Sequence, residues 1–539
     1  MRVFLVLFLV AVAVIRLTII SHDELLADEA YYHMWSERLD WGYYSKGPGV
    51  AAAIRASTAL FGATEFGVRF WSPILGLGTA LLLTSLARRL YGGAAAVWTA
   101  ILISLIPIFN VGGVLMTIDP LSIFFWVVAM YGVWLALERS PHGIWFWVLA
   151  GFAIALGFLC KYTNALQLAS VTLALGWVPR WRVELRRGGF WTMCAVACLG
   201  ALPPIIWNAN HAWITATHLF ERGGFGGGGF KWTAFPEFIG LQAVVYSPLI
   251  FVGLLISLGR GWKEARSHKA GRAERARFLL AFTLPVLGFY AVLALRRPGE
   301  PNWTALAYPS LCVLAAMLWH ERASVSRGAG AFAIAALALG LVMSVAILDT
   351  DVVRQMGFTW PYKTDTSSRI RGWHATADAV GAVRKQVEKE LGQKVFLIAD
   401  KYQLAAELNF YLADKRIEQP GHPPVYMPES QEIQNQFSFW GRYDEFTEPP
   451  VPVPAPGAKP NAASAPPANE MPEALGENRF IGRSALFVTD SPNLAAPPST
   501  LEQGFEEWKC VARYEIKRRG LPVRTLTFFL LSRYQGMSL

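Results

Sequence analysis

Several ionisable side chains cluster in one short part of a chain that is otherwise rich in apolar residues. Asp28 and Glu29 are adjacent acids in LADEAYYHMWSERL, and Lys46 follows them in YYSKGPG. A carboxylate held near a membrane surface is partly desolvated, which raises its pKa towards the range that a general base needs. An ammonium group beside a Gly-Pro-Gly turn, where backbone amides are exposed, can hold a phosphate. This pattern predicts a base and a phosphate-binding cation in one loop.

These residue types also have structural explanations. Asp28 and Glu29 would suit the first turn of an interfacial helix, where acids interact favourably with the helix dipole. Asp119 precedes Pro120 at the start of the apolar run in LMTIDPLSIFFW, so it is either a helix cap or a reactive acid. Lys161 ends the apolar run in GFLCKYTN and can extend to lipid headgroups instead of a substrate. Residue types and spacing alone leave both explanations open.

A second polar segment, PPIIWNANHAWITATHLFERGGFGGGGF, supplies candidates for acceptor contacts or a lid, namely Asn208, His211, His218 and Arg222. Its two histidines are seven residues apart without an HExxH arrangement, so no metal site is predicted. The glycine run carries no GK[ST], which argues against a nucleotide P-loop. We expect no required cofactor, and a divalent metal is not indicated.

The composition places these residues in a polytopic α-helical membrane protein. Of the 539 residues, 53% are hydrophobic and 16% are charged, against about 25% charged in soluble proteins. A membrane-spanning helix needs about 20 apolar residues. The hydropathy pattern predicts eleven spans, centred near residues 11, 77, 102, 129, 151, 171, 198, 247, 286, 312 and 339. The first has no small-residue cleavage site and is expected to be retained.

The basic residues between apolar runs predict the orientation. With a cytoplasmic N-terminus, the segments ARR, RWRVELRR and RGWKEARSHKAGRAERAR all fall on the cytoplasmic side, as the positive-inside rule requires. The opposite side receives the loop 21–66, the turns at Asp119 and Lys161, the segment after Trp207 and everything after Asp349. The formal charge of +10 then reflects topology, and no nucleic-acid partner is predicted. The site is expected at the outer surface.

The sequence changes character near residue 349. KVFLIADKYQLAAELNFYL predicts a strand followed by a helix, and SALFVTD and TLTFFLLSRY predict strands, so residues 350–539 should form a small α/β domain. Within it, 448–473 is Pro- and Ala-rich and too poor in large apolar groups to pack, which predicts a disordered insertion. Residues 1–349 are the predicted transmembrane domain, with 21–66 as its catalytic loop.

Six segments together resemble the bacterial branch of the dolichyl-phosphate-mannose protein mannosyltransferase family, which includes the lipid A aminoarabinose transferases. They are DEAYYHMWSERLDWGYYSKGPG, MTIDPLSIFFW, GFLCKYT, IIWNANHAW, PNWTALAYPS and ADKYQLAAELNFYL, and they follow the family order. The resemblance implies a GT-C glycosyltransferase fold of about eleven transmembrane helices in the bacterial inner membrane, with a small C-terminal periplasmic α/β domain.

The resemblance also implies roles for individual residues. Asp28 matches the acid held to act as base, with Glu29 orienting the acceptor, and Asp119 matches a second acid that faces the reaction centre. Lys46 and Lys161 match lysines expected to bind the donor phosphate, and the tyrosine of the same pocket corresponds to Tyr32. The implied reaction transfers a sugar from undecaprenyl phosphate to an acceptor hydroxyl and inverts the anomeric configuration. The acceptor is expected to be lipid A, the lipopolysaccharide core or another envelope glycan.

Two positions depart from the aminoarabinose transferases, so the sugar is not predicted. Tyr31 stands where those enzymes have a basic residue, and Ser45 stands where they have glutamate. The alternatives are a protein O-mannosyltransferase, a flippase of lipid-linked sugars and a sensor or scaffold. A transporter would be expected to carry charges near mid-membrane and an internal repeat. Most charges here lie at the ends of apolar runs, as expected for a site at the outer surface, and the family-like segments favour the transferase.

Overall fold

The computed structural model describes residues 2–225, 229–358, 360–428, 430, 432–444, 478–491 and 494–536. The predicted insertion 448–473 and the glycines 226–228 lie outside these residues. The chain divides into two compact units, Met1–Trp360 and Pro361–Leu539.

The described part of the first unit is helical. Its α-helices are α1 (Arg2–Ile19), α2 (Ala27–Glu37), α3 (Gly49–Phe61), α4 (Glu65–Arg69), α5 (Trp71–Tyr91), α6 (Gly93–Leu105), α7 (Pro107–Gly112), α8 (Ile118–Glu138), α9 (Ile144–Cys160), α10 (Leu166–Trp177), α11 (Gly188–Leu199), α12 (Leu202–Asn210), α13 (Ile214–Arg222), α14 (Ala234–Tyr246), α15 (Pro248–Ala265), α16 (Ala270–Ala294), α17 (Tyr308–Val325), α18 (Arg327–Leu348) and α19 (Asp351–Gln355). Short 3₁₀ turns include Tyr162–Ala165 after α9 and Trp303–Ala307 before α17.

Several of these helices are suited to crossing a membrane, as expected for a polytopic helical protein. Among the described residues, six segments are long and apolar enough: Glu65–Tyr91, Ile118–Glu138, Gly188–Asn210, Gly271–Ala294, Trp303–Val325 and Arg327–Leu348. The pair α14 and α15, bent by 111°, would make a seventh if it counts as one span. Four apolar helices are shorter, namely Val3–Ile19, Gly49–Phe61, Gly93–Leu105 and Ile144–Cys160. The expected number of eleven spans therefore stays a prediction.

The second unit combines helices with a mixed sheet. It contains α20 (Trp373–Leu391), α21 (Tyr402–Tyr411), α22 (Ser499–Gly504) and the strands β1 (Phe396–Ala399), β2 (Val425–Tyr426), β3 (Ala485–Thr489), β4 (Phe505–Arg518) and β5 (Leu521–Tyr534). The strand order is β2-β1-β3-β5-β4. β1 runs parallel to β2 and β3, while β5 is antiparallel to β3 and β4. Every residue of β1 and β3 is buried, as expected for central strands covered on both faces.

A close approach between the N-terminus of α3 and the C-terminus of α9 positions the Lys46 loop. A Cβ atom added at Gly47 would lie 2.3 Å from the carbonyl oxygen of Leu159, and one at Gly49 would lie 2.4 Å from Cys160 Sγ. Real Cβ atoms essentially never come within 3.0 Å of such neighbours. The glycines of SKGPG are therefore required for packing against the turn that carries Lys161.

We predict that Gly47→Ala destabilises the protein by about 1–3 kcal/mol, because the added methyl group meets backbone that cannot move aside. The measurement is the thermal unfolding midpoint in detergent. Gly240→Ala is the matched control, since a Cβ at Gly240 has no neighbour within 4 Å. Equal midpoints for the two variants would contradict the assignment of Gly47 to close packing.

Candidate functional site

Asp119 and Lys161 meet where α8 begins and α9 ends. Lys161 Nζ lies 2.6 Å from Asp119 Oδ1, and the amide nitrogen of Asn302 donates to Oδ2. The cap of α8 is Thr117, whose side-chain oxygen accepts from the backbone nitrogen of Asp119 at 3.3 Å. Thus Thr117 fills the role of helix cap, and the Asp119 carboxylate is directed towards Lys161 and Asn302 instead.

Glu29 is enclosed in a buried ion pair with Arg69, and both residues are fully excluded from solvent. Arg69 Nε donates to Oε1 at 2.8 Å and Nη2 donates to Oε2 at 2.6 Å. The backbone nitrogens of Met116 and Leu26 donate to the same two oxygens at 2.7 and 2.8 Å. Four hydrogen bonds therefore occupy the carboxylate of Glu29, and its contacts are with the protein itself.

The remaining donors of Arg69 fix the segment that leads into α2. Its Nη1 donates to the carbonyls of Ile20 and Asp23, and its Nη2 donates to the carbonyl of Glu24. With the two bonds to Glu29, all five N–H groups of the guanidinium have acceptors. The sequence did not single out Arg69, because its partner is 40 positions away.

Several of the predicted site residues lie close enough to Lys46 for their charges to change its pKa. It is half-buried, and the charges that act on it include Asp28, Asp119, Lys161 and Arg222. Burial is the main reason that the pKa of Lys46 falls to about 8; the two cations act in the same direction and the two acids oppose them. Asp28 is itself half-buried in the first turn of α2.

Lys161 retains its charge despite its buried position. Burial disfavours the ammonium form, but the adjacent Asp119 carboxylate outweighs this effect and raises the pKa of Lys161. The site thus contains a firmly charged lysine at 161 and a lysine at 46 that can lose its proton in mildly alkaline solution.

Helix α13 is held against the Lys46 loop. Thr215 Oγ1 donates to the carbonyl of Tyr43 at 3.1 Å, and the His218 ring lies 4.6 Å from the ring of Tyr44. Burial, followed by the charges of Arg222 and Lys46, lowers the pKa of His218 to about 4. The histidine is therefore neutral near pH 7.

The other residues proposed for acceptor contacts occupy two different surroundings. Asn208 is buried and accepts from the backbone nitrogen of Thr215, so it holds the turn before α13. His211 stacks on Trp207 with ring centroids 3.9 Å apart. Arg222 lies close enough to Lys46 for its charge to lower the pKa of that lysine. It also forms an ion pair with Glu300 at 3.6 Å.

Tyr32 is buried and packs edge-on against Trp35 at 5.0 Å, as does Tyr31. No group of three or more His, Cys, Asp or Glu side chains among the described residues is arranged to hold a metal ion. The arrangement is therefore a set of acids and cations at the ends of helices, beside buried aromatic rings.

Comparisons with known proteins fit this geometry. The model of the dolichyl-phosphate-mannose-protein mannosyltransferase family matches residues 45–207. The fold is that of ArnT from Cupriavidus metallidurans bound to undecaprenyl phosphate, with a TM-score of 0.55 and 14% identity over 97% of each chain. The chain has the GT-C fold and is related to the lipid A aminoarabinose transferases. The resemblance inferred from the sequence blocks is thereby confirmed.

Two curated relatives of this GT-C protein modify lipids or use lipid-linked sugars, according to their names. A lipid A galacturonosyltransferase of Rhizobium johnstonii is 28% identical over 308 residues, 57% of this chain. An undecaprenyl phosphate-alpha-4-amino-4-deoxy-L-arabinose arabinosyl transferase of Pseudomonas fluorescens is 26% identical over 373 residues, 62% of this chain. In both cases the match spans 63% of the relative's own length.

We predict that Glu29→Gln destabilises the protein by about 3–5 kcal/mol, because it leaves the buried Arg69 guanidinium without a counter-charge. Glu37→Gln is the matched control in the same helix, because that side chain is exposed, and it should change the thermal unfolding midpoint far less. The double variant Glu29→Gln/Arg69→Met should recover part of the loss. A Glu29→Gln midpoint equal to that of Glu37→Gln would contradict a structural role for the pair.

Proposed function

We propose that this protein is an integral-membrane glycosyltransferase that moves a sugar from undecaprenyl phosphate to a hydroxyl group of an envelope lipid or glycan. The observation that carries the proposal is the position of Lys46 under the combined charges of Asp28, Asp119, Lys161 and Arg222. Such a site can accommodate both a hydroxyl that must lose a proton and a phosphate that must leave.

The relatives support the class of donor and acceptor. One acts on lipid A, and another is named for an undecaprenyl-phosphate-linked amino sugar. The acceptor that we favour is lipid A or the core of lipopolysaccharide. A protein hydroxyl is the second choice. The sugar itself is left open, because Tyr31 and Ser45 depart from the aminoarabinose transferases.

Asp28 is the proposed base. It matches the acid that the family resemblance gives as base, and its charge acts on Lys46. Glu29 holds Arg69 and Asp119 holds Lys161, so these two acids position other groups of the site. Asp28 removes the proton of the acceptor hydroxyl, and the oxygen attacks the anomeric carbon. The bond from that carbon to the phosphate oxygen breaks on the opposite face, which inverts the configuration.

The cations stabilise the phosphate that leaves. Negative charge builds up on the phosphate oxygens as the glycosidic bond breaks, and fixed positive groups stabilise it in a partly desolvated site. Lys46 and Lys161 are the proposed ligands, and Asp119 keeps Lys161 oriented through their 2.6 Å contact. Tyr32 would line the same pocket, while Asn208, His211, His218 and Arg222 belong to the segment that would cover it.

The proposed reaction takes place at the periplasmic face of the inner membrane, with the N-terminus in the cytoplasm. This orientation rests on the basic segments between the apolar runs. We assign residues 350–539 to the periplasm on the same grounds. Their proposed role is to select the acceptor.

We predict that Asp28→Asn lowers the transfer rate by about 100-fold or more, because the amide cannot accept the proton. The measurement is sugar transfer from an undecaprenyl-phosphate sugar by purified protein, followed by mass spectrometry of the lipid product. The unfolding midpoint of the same sample controls for folding. Transfer near the wild-type rate would remove Asp28 from the role of base.

We predict that affinity for undecaprenyl phosphate falls as the pH rises from 7 to 9. Lys46, with a pKa of about 8, is charged below this value and loses its charge above it, whereas the phosphate stays ionised throughout. Lys46→Arg is the control, since arginine remains charged over the whole range. Parallel pH profiles for wild type and Lys46→Arg would place the phosphate elsewhere.

A further inference from the structure

A cavity of about 230 Å³ lies among the helices of the first unit, and Asp119 and Asn302 line one part of it. Its walls come from α1, α5, α6, α7 and α8. Most of the lining side chains are apolar, among them Leu9, Val12 and Ala13. Asp28, Lys46, Lys161 and Arg222 are not among the residues that line it.

Among the residues that the structure describes, Arg16 is the one arginine that lines this cavity. It lies in the last turn of α1 and is only 8% exposed. On the helix it shares a face with Leu9, Val12 and Ala13, which precede it by seven, four and three positions. The cavity therefore presents one guanidinium above a strip of apolar side chains.

The position of the Arg16 side chain is fixed by its surroundings. Nη2 donates to Asn110 Oδ1 at 2.6 Å, and the Asn110 amide nitrogen donates to Ser344 Oγ at 3.0 Å. A Cβ atom added at Gly113 would lie 2.8 Å from Arg16 Cζ, and one at Gly76 would lie 3.2 Å from Nη1. A glycine of α5 and the glycine that follows α7 thus leave space for the guanidinium, and Asn110 orients it.

The guanidinium lacks a counter-charge within the described chain, where no carboxylate forms an ion pair with it. Asp119, the acid that lines the same cavity, is paired with Lys161 instead. Arg69 uses all five of its guanidinium N–H groups, whereas the Arg16 guanidinium makes one hydrogen bond to the described residues, namely to Asn110. A buried cation without a partner is costly in a membrane protein and usually marks a functional site.

We propose that Arg16 binds the anionic group of a lipid whose apolar chain occupies the cavity. A guanidinium has a planar fork of donors that matches the oxygens of a phosphate or carboxylate. The apolar face of α1 below Arg16 suits a hydrocarbon chain. Cation and apolar wall together match an anionic amphiphile.

The lipid that we assign to this site is the acceptor, and this assignment rests on the proposed function. The cations proposed for the donor phosphate lie outside the cavity, whereas Asp119 belongs to both the site and the cavity wall. A lipid bound at Arg16 would therefore approach the reacting groups from a different side than the donor phosphate does.

The binding test uses the full-length protein in a neutral detergent with dodecyl phosphate as the probe and dodecanol as its uncharged counterpart. All variants are made in a Lys46→Ala background, which removes one of the two lysines proposed for the donor phosphate and so weakens that site. Dodecyl phosphate should raise the thermal unfolding midpoint, and Arg16→Met should raise the half-saturating concentration by about tenfold or more. An equal effect of dodecanol, or an unchanged half-saturation in Arg16→Met, would overturn the anion site.

A second variant covers the case in which Arg16→Met does not fold. Gly113→Ala displaces the guanidinium through a single added methyl group, and it should weaken dodecyl phosphate binding in the same way. Gly176→Ala is the matched control, because a Cβ there has no neighbour within 4 Å. Wild-type half-saturation in Gly113→Ala would count against Arg16 as the ligand.

Kinetics separate the two sources of the lipid. In a transfer assay, Arg16→Met should raise the KM for the acceptor lipid about tenfold and leave the KM for the polyprenyl donor unchanged. The reverse pattern would overturn the acceptor assignment and give the site to the donor's carrier lipid. Absence of any transfer by the wild type would contradict the proposed function, while the dodecyl phosphate result would still stand or fall by itself.

Discussion

Glu29 and Arg69 are both excluded from solvent. The five N–H groups of the guanidinium and the two oxygens of the carboxylate join three parts of the chain that are distant in sequence. The carboxylate holds the first turn of α2 to α4 and, through the backbone of Met116, to the start of α8. The guanidinium also holds the carbonyls that precede α2. Asp28 and Asp119 stand one and three residues from these anchored positions, so their relative placement depends on this contact.

Close packing of the backbone places Lys46 and Lys161 near Asp28 and Asp119. The Gly47 and Gly49 positions let α3 approach the end of α9, which brings the Lys46 loop beside the turn at Lys161. Polar contacts alone would not hold this arrangement, because Lys46 and Lys161 repel each other and Lys46 is also repelled by Arg222. Because Gly47 and Gly49 have no Cβ atom, two lysines can lie close together. A lipid phosphate can neutralise their combined positive charge.

The sequence predicted which segments carry chemistry better than it predicted what each residue does. Adjacent residues on a helix point about 100° apart, so Asp28 and Glu29 must have different surroundings. Glu29 is the buried acid because it pairs with Arg69, which is 40 positions later. The local spacing of residues could not predict a partner so far along the chain. For Asp119 the relevant signal was nearby, since Thr117 precedes the helix and is a good capping residue. At α14 and α15 hydropathy predicted one span, whereas Pro248 begins a new helix at a bend of 111°.

Arg16 shows how far a single charge within an apolar run can be interpreted. Its position in the run is visible in the sequence, but Asn110, which orients it, is 94 positions away. Three buried or nearly buried cations of the first unit differ in their counter-charges: Arg69 has Glu29, Lys161 has Asp119, and Arg16 faces a cavity. The first two pairs fix helices in place. Arg16 does not fix a helix through an ion pair, because no acid of the described chain neutralises it. The free-energy cost of burying its charge is best explained by a ligand that supplies the negative charge.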